Sequence, residues 1–135
     1  MGGVVRPEEI QQGHIDHALS ITSPYTSTYI ACPATHTDGR SGNSNAIPEG
    51  ARIQLDPTFN VDAQTWPAWE KIIAKALQTY GAYVSDTSGS LAIYGQNDMN
   101  AGNVSWSSVG APNTSPSLSN LPWSSFRVLT MTSCN

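Results

Sequence analysis

Charged side chains are scarce in this sequence. Asp, Glu, Lys and Arg together make up 12% of its 135 residues, about half the share of an ordinary globular chain. The six basic residues, Arg6, Arg40, Arg52, Lys71, Lys75 and Arg127, are scattered, and ten acidic ones leave a net charge of −4. A phosphate backbone or an anionic membrane surface is held by clustered cations, so neither nucleic acid nor membrane is expected as a partner. Long apolar runs are missing too. None approaches the roughly 20 residues that span a bilayer, and no apolar signal segment follows the N-terminus, so an export signal would lie outside this chain. Cysteine is limited to Cys32 and Cys134, which lack the close spacing that metal binding wants. The favoured reading is a disulfide tying the C-terminus to the first third of the chain, worth about 2–5 kcal/mol and suited to an oxidising compartment. Phosphate-cradling glycine loops, a G-x-S-x-G elbow and C-x-x-C pairs are absent as well. No metal or cofactor is therefore expected.

What the chain does have is Ser, Thr, Asn, Gly and Pro in abundance, the uncharged polar surface typical of secreted, extracellular proteins. Its length suits a single domain over residues 1–135. Pro7 with Glu8 and Glu9 reads as the start of a short helix that Gly13 can stop. The apolar alternation from His14 predicts a strand, and "TSPYTSTY" a turn followed by a strand running to Cys32. Residues 33 to 48 read as loop. Ala51, Ile53 and Leu55 alternate with Arg52, Gln54 and Asp56, as in a half-buried strand.

The segment "TWPAWEKIIAKALQTYG" predicts an amphipathic helix with Thr65 as N-cap and Gly81 as stop. Its apolar stripe is Trp66, Trp69, Ile72, Ile73, Ala76, Leu77 and Tyr80, with Glu70, Lys71, Lys75 and Gln78 on the wet face. "AYVSD" and "SLAIY" around "TSG" read as a β-hairpin with Gly89 left-handed. A long polar stretch from 95 to 122 contains Trp106, which suggests a covering or binding loop, and "FRVLTMTSC" closes the chain as a strand. The expected fold is mainly β with one packed helix, an α+β arrangement built as an antiparallel β-sandwich or jelly-roll-like half-barrel.

Chemistry has few places to sit. In "GHIDHALSI" a strand would send His14 and Asp16 to one face and His17 to the other with Ile15 and Leu19, which disfavours a two-histidine metal site. The bland reading leaves His14 exposed, Asp16 as a cap and His17 as a satisfied core histidine. The functional reading folds the glycine-bearing loop "ATHTDGRSG" over this strand. Its His36, Asp38 and Arg40 would then join Asp16 or His17 as an acid/base constellation. Paired carboxylates serve glycoside hydrolysis, and a base beside a cation serves proton abstraction in a polysaccharide lyase. Glu49 and Asp56 read as turn residues. Exposed aromatics stack on sugar rings, and Trp106, Trp123, Tyr25 and Tyr29 lie outside the main helix.

The segments "GGVVRPEEIQQGHIDHALSI", "PATHTDG", "IPEGARIQLDP" and "IIAKALQTYGAYVSDTSGSLAIYGQ" resemble the C-terminal portion of a group of poorly characterised secreted bacterial proteins. That resemblance covers most of residues 3 to 95. It implies that His17 and Asp38, which match the group's histidine and its aspartate before glycine, stand above the other polar residues. It also implies a missing N-terminal segment, so that the chain would be the C-terminal half of a longer protein completed by that segment or by self-association. The expectation is a polysaccharide-active hydrolase or lyase with Asp16, His17 and Asp38 as catalytic residues, and with His36, Arg40 and Trp106 binding polysaccharide or oligosaccharide. The alternative is a non-catalytic glycan-binding or surface-assembly module.

Overall fold

The structure, a computed structural model, describes residues 2–97, 104–112 and 118–132. Helix α1 spans Pro7–Gln12. Strands β1 (Leu19–Ser23), β2 (Thr26–Ile30), β3 (Ile47–Glu49) and β4 (Arg52–Leu55) precede helix α2 (Ala68–Thr79). Strands β5 (Ala82–Thr87), β6 (Ala92–Ile93) and β7 (Phe126–Val128) follow. Five strands form one sheet in the order β6-β1-β5-β4-β7, and β2 pairs with β3 apart from it. The α+β class is thus observed. The pairing is not wholly antiparallel: β1 runs parallel to β5 and β2 parallel to β3. The five-stranded sheet is open, with β6 and β7 as its outer strands.

The mixed pairing follows from burial. All five residues of β1 are buried, the condition of a central strand covered on both faces. Such a strand does not start at His14. Residues 14 to 18 are irregular and lead into β1 at Leu19. The expected hairpin is also replaced. β6 pairs with β1, matching Ile93 to Ile21 and Ala92 to Thr22, on the side of β1 away from β5. The turn between β5 and β6 wraps the end of β1 instead: Ser88 N–H donates to the Ser23 carbonyl at 3.1 Å, and the Thr22 hydroxyl donates to the Ser90 carbonyl at 2.9 Å. Gly89 does not take the left-handed conformation.

Helix α2 starts two residues later than its sequence suggests, with Pro67 and not Thr65 at the N-cap. Its buried stripe of Trp69, Ile73, Ala76 and Leu77 packs in one core with Leu19, Ile21, Ile53, Leu55 and Val84. Gly81 ends the helix at φ +72°, where a Cβ would fall 2.3 Å from the Ile53 carbonyl oxygen. Only glycine meets both demands. Glu70 is not on the wet face. It is 1% exposed, and its Oε2 accepts from the Asn120 amide at 2.8 Å, which ties the segment after residue 118 to α2.

Cys134 lies outside the described residues. Just before it, the Thr132 carbonyl accepts from the Cys32 backbone N–H at 3.0 Å, so the last described residue already lies against Cys32. No helix among the described residues is long and apolar enough to cross a membrane.

Candidate functional site, a carboxylate cluster beside a tyrosine-lined cavity

The loop that carries "THTDGRS" docks on β2. Ser41 N–H donates to the Thr26 carbonyl at 3.1 Å and Thr28 N–H to the Ser41 carbonyl at 3.2 Å. The Thr37 hydroxyl donates to the Ser27 carbonyl at 3.2 Å and accepts from Gly39 N–H at 2.9 Å. Gly39 lies so close to β2 that a Cβ would fall 2.1 Å from the Ser27 carbonyl oxygen. The Asp-Gly pair is therefore more than turn chemistry: its glycine lets the loop press on the strand.

That contact delivers Asp38 to the ends of two other strands. Glu49 closes β3 and Asp86 sits near the end of β5. One oxygen from each of Asp38, Glu49 and Asp86 lies within 4.8 Å of the others. Glu49 is buried and Asp38 exposed. Burial, then the hydrogen bond and negative charge of Asp38, push the Glu49 carboxyl above its ordinary value. Hydrogen bonds from Thr87 and from the Glu49 carboxyl hold Asp38 below its own, with Arg40 adding its charge. These opposite shifts set the two neighbouring carboxyls apart: Glu49 is the one that keeps a proton more readily, and Asp38 the one that ionises more readily.

Hydroxyls organise the cluster. Thr87 Oγ1 lies 3.3 Å from Glu49 Oε1 as its donor and is in close contact with Thr26 Oγ1. A threonine has one O–H to give, so Thr26 donates to Thr87 when Thr87 donates to a carboxylate. Asp86 accepts from Thr87 N–H at 2.8 Å and from the Tyr94 hydroxyl at 3.0 Å. Burial and that carboxylate push the Tyr94 phenol up, which keeps it a donor. The three carboxylates also have the oxygen chemistry of a hard divalent cation site.

Next to the cluster is a cavity of about 310 Å³ lined by Pro24, Tyr25, Thr26, Arg40, Ser41 and Thr87. Its size is at the lower end of small-ligand sites. Thr87 belongs to both the cavity wall and the cluster.

The residues singled out from sequence are divided between places. Asp38 and Arg40 are at the cluster and the cavity. Asp16 instead pairs with His14 at 2.9 Å in an exposed contact. His17 is held between Glu9 Oε1, 2.9 Å from Nε2, and the Ala18 carbonyl, 2.9 Å from Nδ1. Glu9 also binds the Arg6 guanidinium at 2.8 Å and the Arg6 backbone N–H at 2.9 Å. Burial acts against the Glu9 carboxylate, yet these Arg6 bonds and the nearby His17 hold it below its ordinary value. The result is a clasp between α1 and the approach to β1. His36 is exposed, with Nδ1 3.3 Å from the Thr35 hydroxyl. Trp106 donates from Nε1 to the Gln96 carbonyl at 2.8 Å and packs over Gly95 against the core, and it is not among the cavity's lining residues.

Glu49, Asp86 and Tyr94 escaped the sequence reading. The "PEG" context made Glu49 look like a turn residue, and Asp86 stood at the end of a supposed hairpin strand. Compared with known proteins, the chain matches no family model, no curated protein and no solved structure.

Proposed function

We propose that this chain is a secreted, extracellular polysaccharide-active protein, a hydrolase or lyase, whose acid/base group is the Asp38–Glu49 pair. The observation that carries the reading is that pair: two carboxyls in contact, one buried and pushed up, one exposed and held down, beside an open cavity. Such a pair retains one proton on its raised member. Glu49 gives that proton to the leaving-group oxygen, and Asp38, ionised beside it, orients it. Asp86, gripped by Tyr94 and by Thr87 N–H, is the second carboxylate. The lyase reading draws on Arg40 in the cavity wall as the cation beside a substrate carboxylate. The resemblance to secreted bacterial proteins agrees with the extracellular placement.

The test is a panel of polysaccharides assayed for new reducing ends and for unsaturated products. Cleavage by the wild type is expected, with Glu49→Gln and Asp38→Asn each slowing it about 10²–10⁴-fold while the thermal melt remains cooperative. Silence of the wild type across the panel would sink the enzymatic reading.

A second reading, a non-catalytic glycan-binding or surface-assembly module, draws on the open sheet. Its outer strands β6 and β7 have two and three residues. Covering those edges by a second copy or by an N-terminal segment would complete the expected sandwich or half-barrel. It predicts glycan retention without turnover, and assembly visible in size-exclusion chromatography.

A further inference from the structure

Tyr25 and Tyr29 are 76% and 77% exposed, well above the other large apolar side chains that reach solvent among the described residues. One lies just before β2 and the other near its end. Four residues of extended chain reach roughly 13 Å at most, and both rings stand open to solvent. Tyr25 is itself part of the cavity wall, with Thr26, Arg40, Ser41 and Thr87. The strip thus joins an aromatic ring in the cavity to a second ring a few sugar lengths away.

Two tyrosines left this open expose apolar surface that a ligand would cover. A tyrosine ring loses little conformational freedom on binding and offers a flat apolar face with a polar tip. The groups around the cavity narrow the ligand further. Ser41 supplies a hydroxyl, while those of Thr26 and Thr87 are engaged with each other and with Glu49. The Arg40 cation opposes the charge of Asp38, and Asp86 is engaged by Tyr94 and Thr87. The wall therefore carries both signs of charge, with a small negative excess from the carboxylates behind it. A uronate polymer would meet the carboxylates and a polyamine would meet Arg40, whereas an uncharged polyol is opposed by neither.

We propose that Tyr25 and Tyr29 form a stacking platform of two subsites for an uncharged polysaccharide, the Tyr25 subsite placing one sugar ring beside the Asp38–Glu49–Asp86 cluster. The platform rests on the hydrolase form of the glycan reading above, since the lyase form needs a uronate, and adds the ligand class and the residues that hold it.

Affinity electrophoresis tests it. Wild type and the Glu49→Gln variant, the latter resisting turnover, are run through gels containing hydroxyethyl cellulose, galactomannan or dextran. Polygalacturonate and chitosan serve as the anionic and cationic counterparts. Retardation of both proteins by at least one uncharged polymer is expected, unchanged by added salt. Tyr25→Ala and Tyr29→Ala should each weaken it by roughly three- to tenfold without moving the thermal midpoint, and the double variant should nearly abolish it. Absence of retardation in every uncharged gel, retardation confined to the charged polymers, or full retention by the double variant would overturn the platform. Tyrosine-dependent retention without cleavage anywhere in the panel would overturn the enzymatic reading and leave the platform standing.

Discussion

At the contact between Asp38 and Glu49, the opposite shifts of the two carboxyls tie stability to pH in two directions. Glu49 is raised above its ordinary 4.5, so the folded chain binds that proton more tightly than the unfolded one. Its contribution is present while it is protonated and fades as pH rises from 4.5 through the raised value. Asp38 is depressed below its ordinary 3.8, so its contribution is present above 3.8 and is lost as pH falls through the depressed value. Urea unfolding of the wild type should therefore show stability declining as pH climbs above 4.5, and Glu49→Gln should flatten that limb while leaving the acid limb in place. A Glu49→Gln curve parallel to the wild type across this interval would show that the folded chain does not hold the Glu49 proton more tightly than the unfolded one. Glu9, lowered by Arg6 and His17 against its burial, adds to the acid limb only. Glu9→Gln should weaken stability most above its ordinary 4.5 and converge with the wild type in acid.

The loop from Thr37 to Ser41 is the element on which the site depends, because it brings Asp38 and Arg40 to strands that hold none of their own cations. Two glycines in and beside that loop give contrasting expectations. A Cβ on Gly39 would fall 2.1 Å from the Ser27 carbonyl oxygen and 2.8 Å from its carbon, both backbone atoms of β2. Gly39→Ala should therefore force the loop off the strand and destabilise by about 1–3 kcal/mol. Gly42 has nothing within 4 Å and no left-handed backbone requirement. Gly42→Ala should be neutral or stabilising by up to about 1 kcal/mol, through lost freedom of the unfolded chain. Chemical denaturation of the two variants separates the cases, and equal effects would refute the docking contact as its cause. The main helix was legible because its apolar stripe recurs locally at a period of 3.6 residues. The supposed hairpin misled because local turn residues do not say whether a strand inserts between the two arms, and here β1 does.

Across the whole molecule, the C-terminal segment returns to the first third of the chain. The 3.0 Å bond from Cys32 N–H to the Thr132 carbonyl brings Cys32 to a residue two positions before Cys134 in the sequence. We therefore expect the two cysteines to be joined. The intact mass should be lower by two hydrogens before reduction than after it, and reduction should cost about 2–5 kcal/mol of stability. Two titratable thiols in the unreduced, unfolded protein would refute the link.

By itself the sequence determined what short-range pattern can encode. Helix α1 with its Gly13 stop, the core stripe of α2, the alternation of β4 and the turn before β2 all follow from neighbours within a few residues. The prominence of Asp38 came from the resemblance, while its glycine read only as a turn residue. Only the tertiary structure decided that β1 sits between β5 and β6, and that β3 pairs parallel with β2. It likewise decided that Asp38 meets Glu49 and Asp86 while His17 closes on Glu9. Those contacts join residues from separate strands, and they depend on burial and strand order, which composition and periodicity leave open.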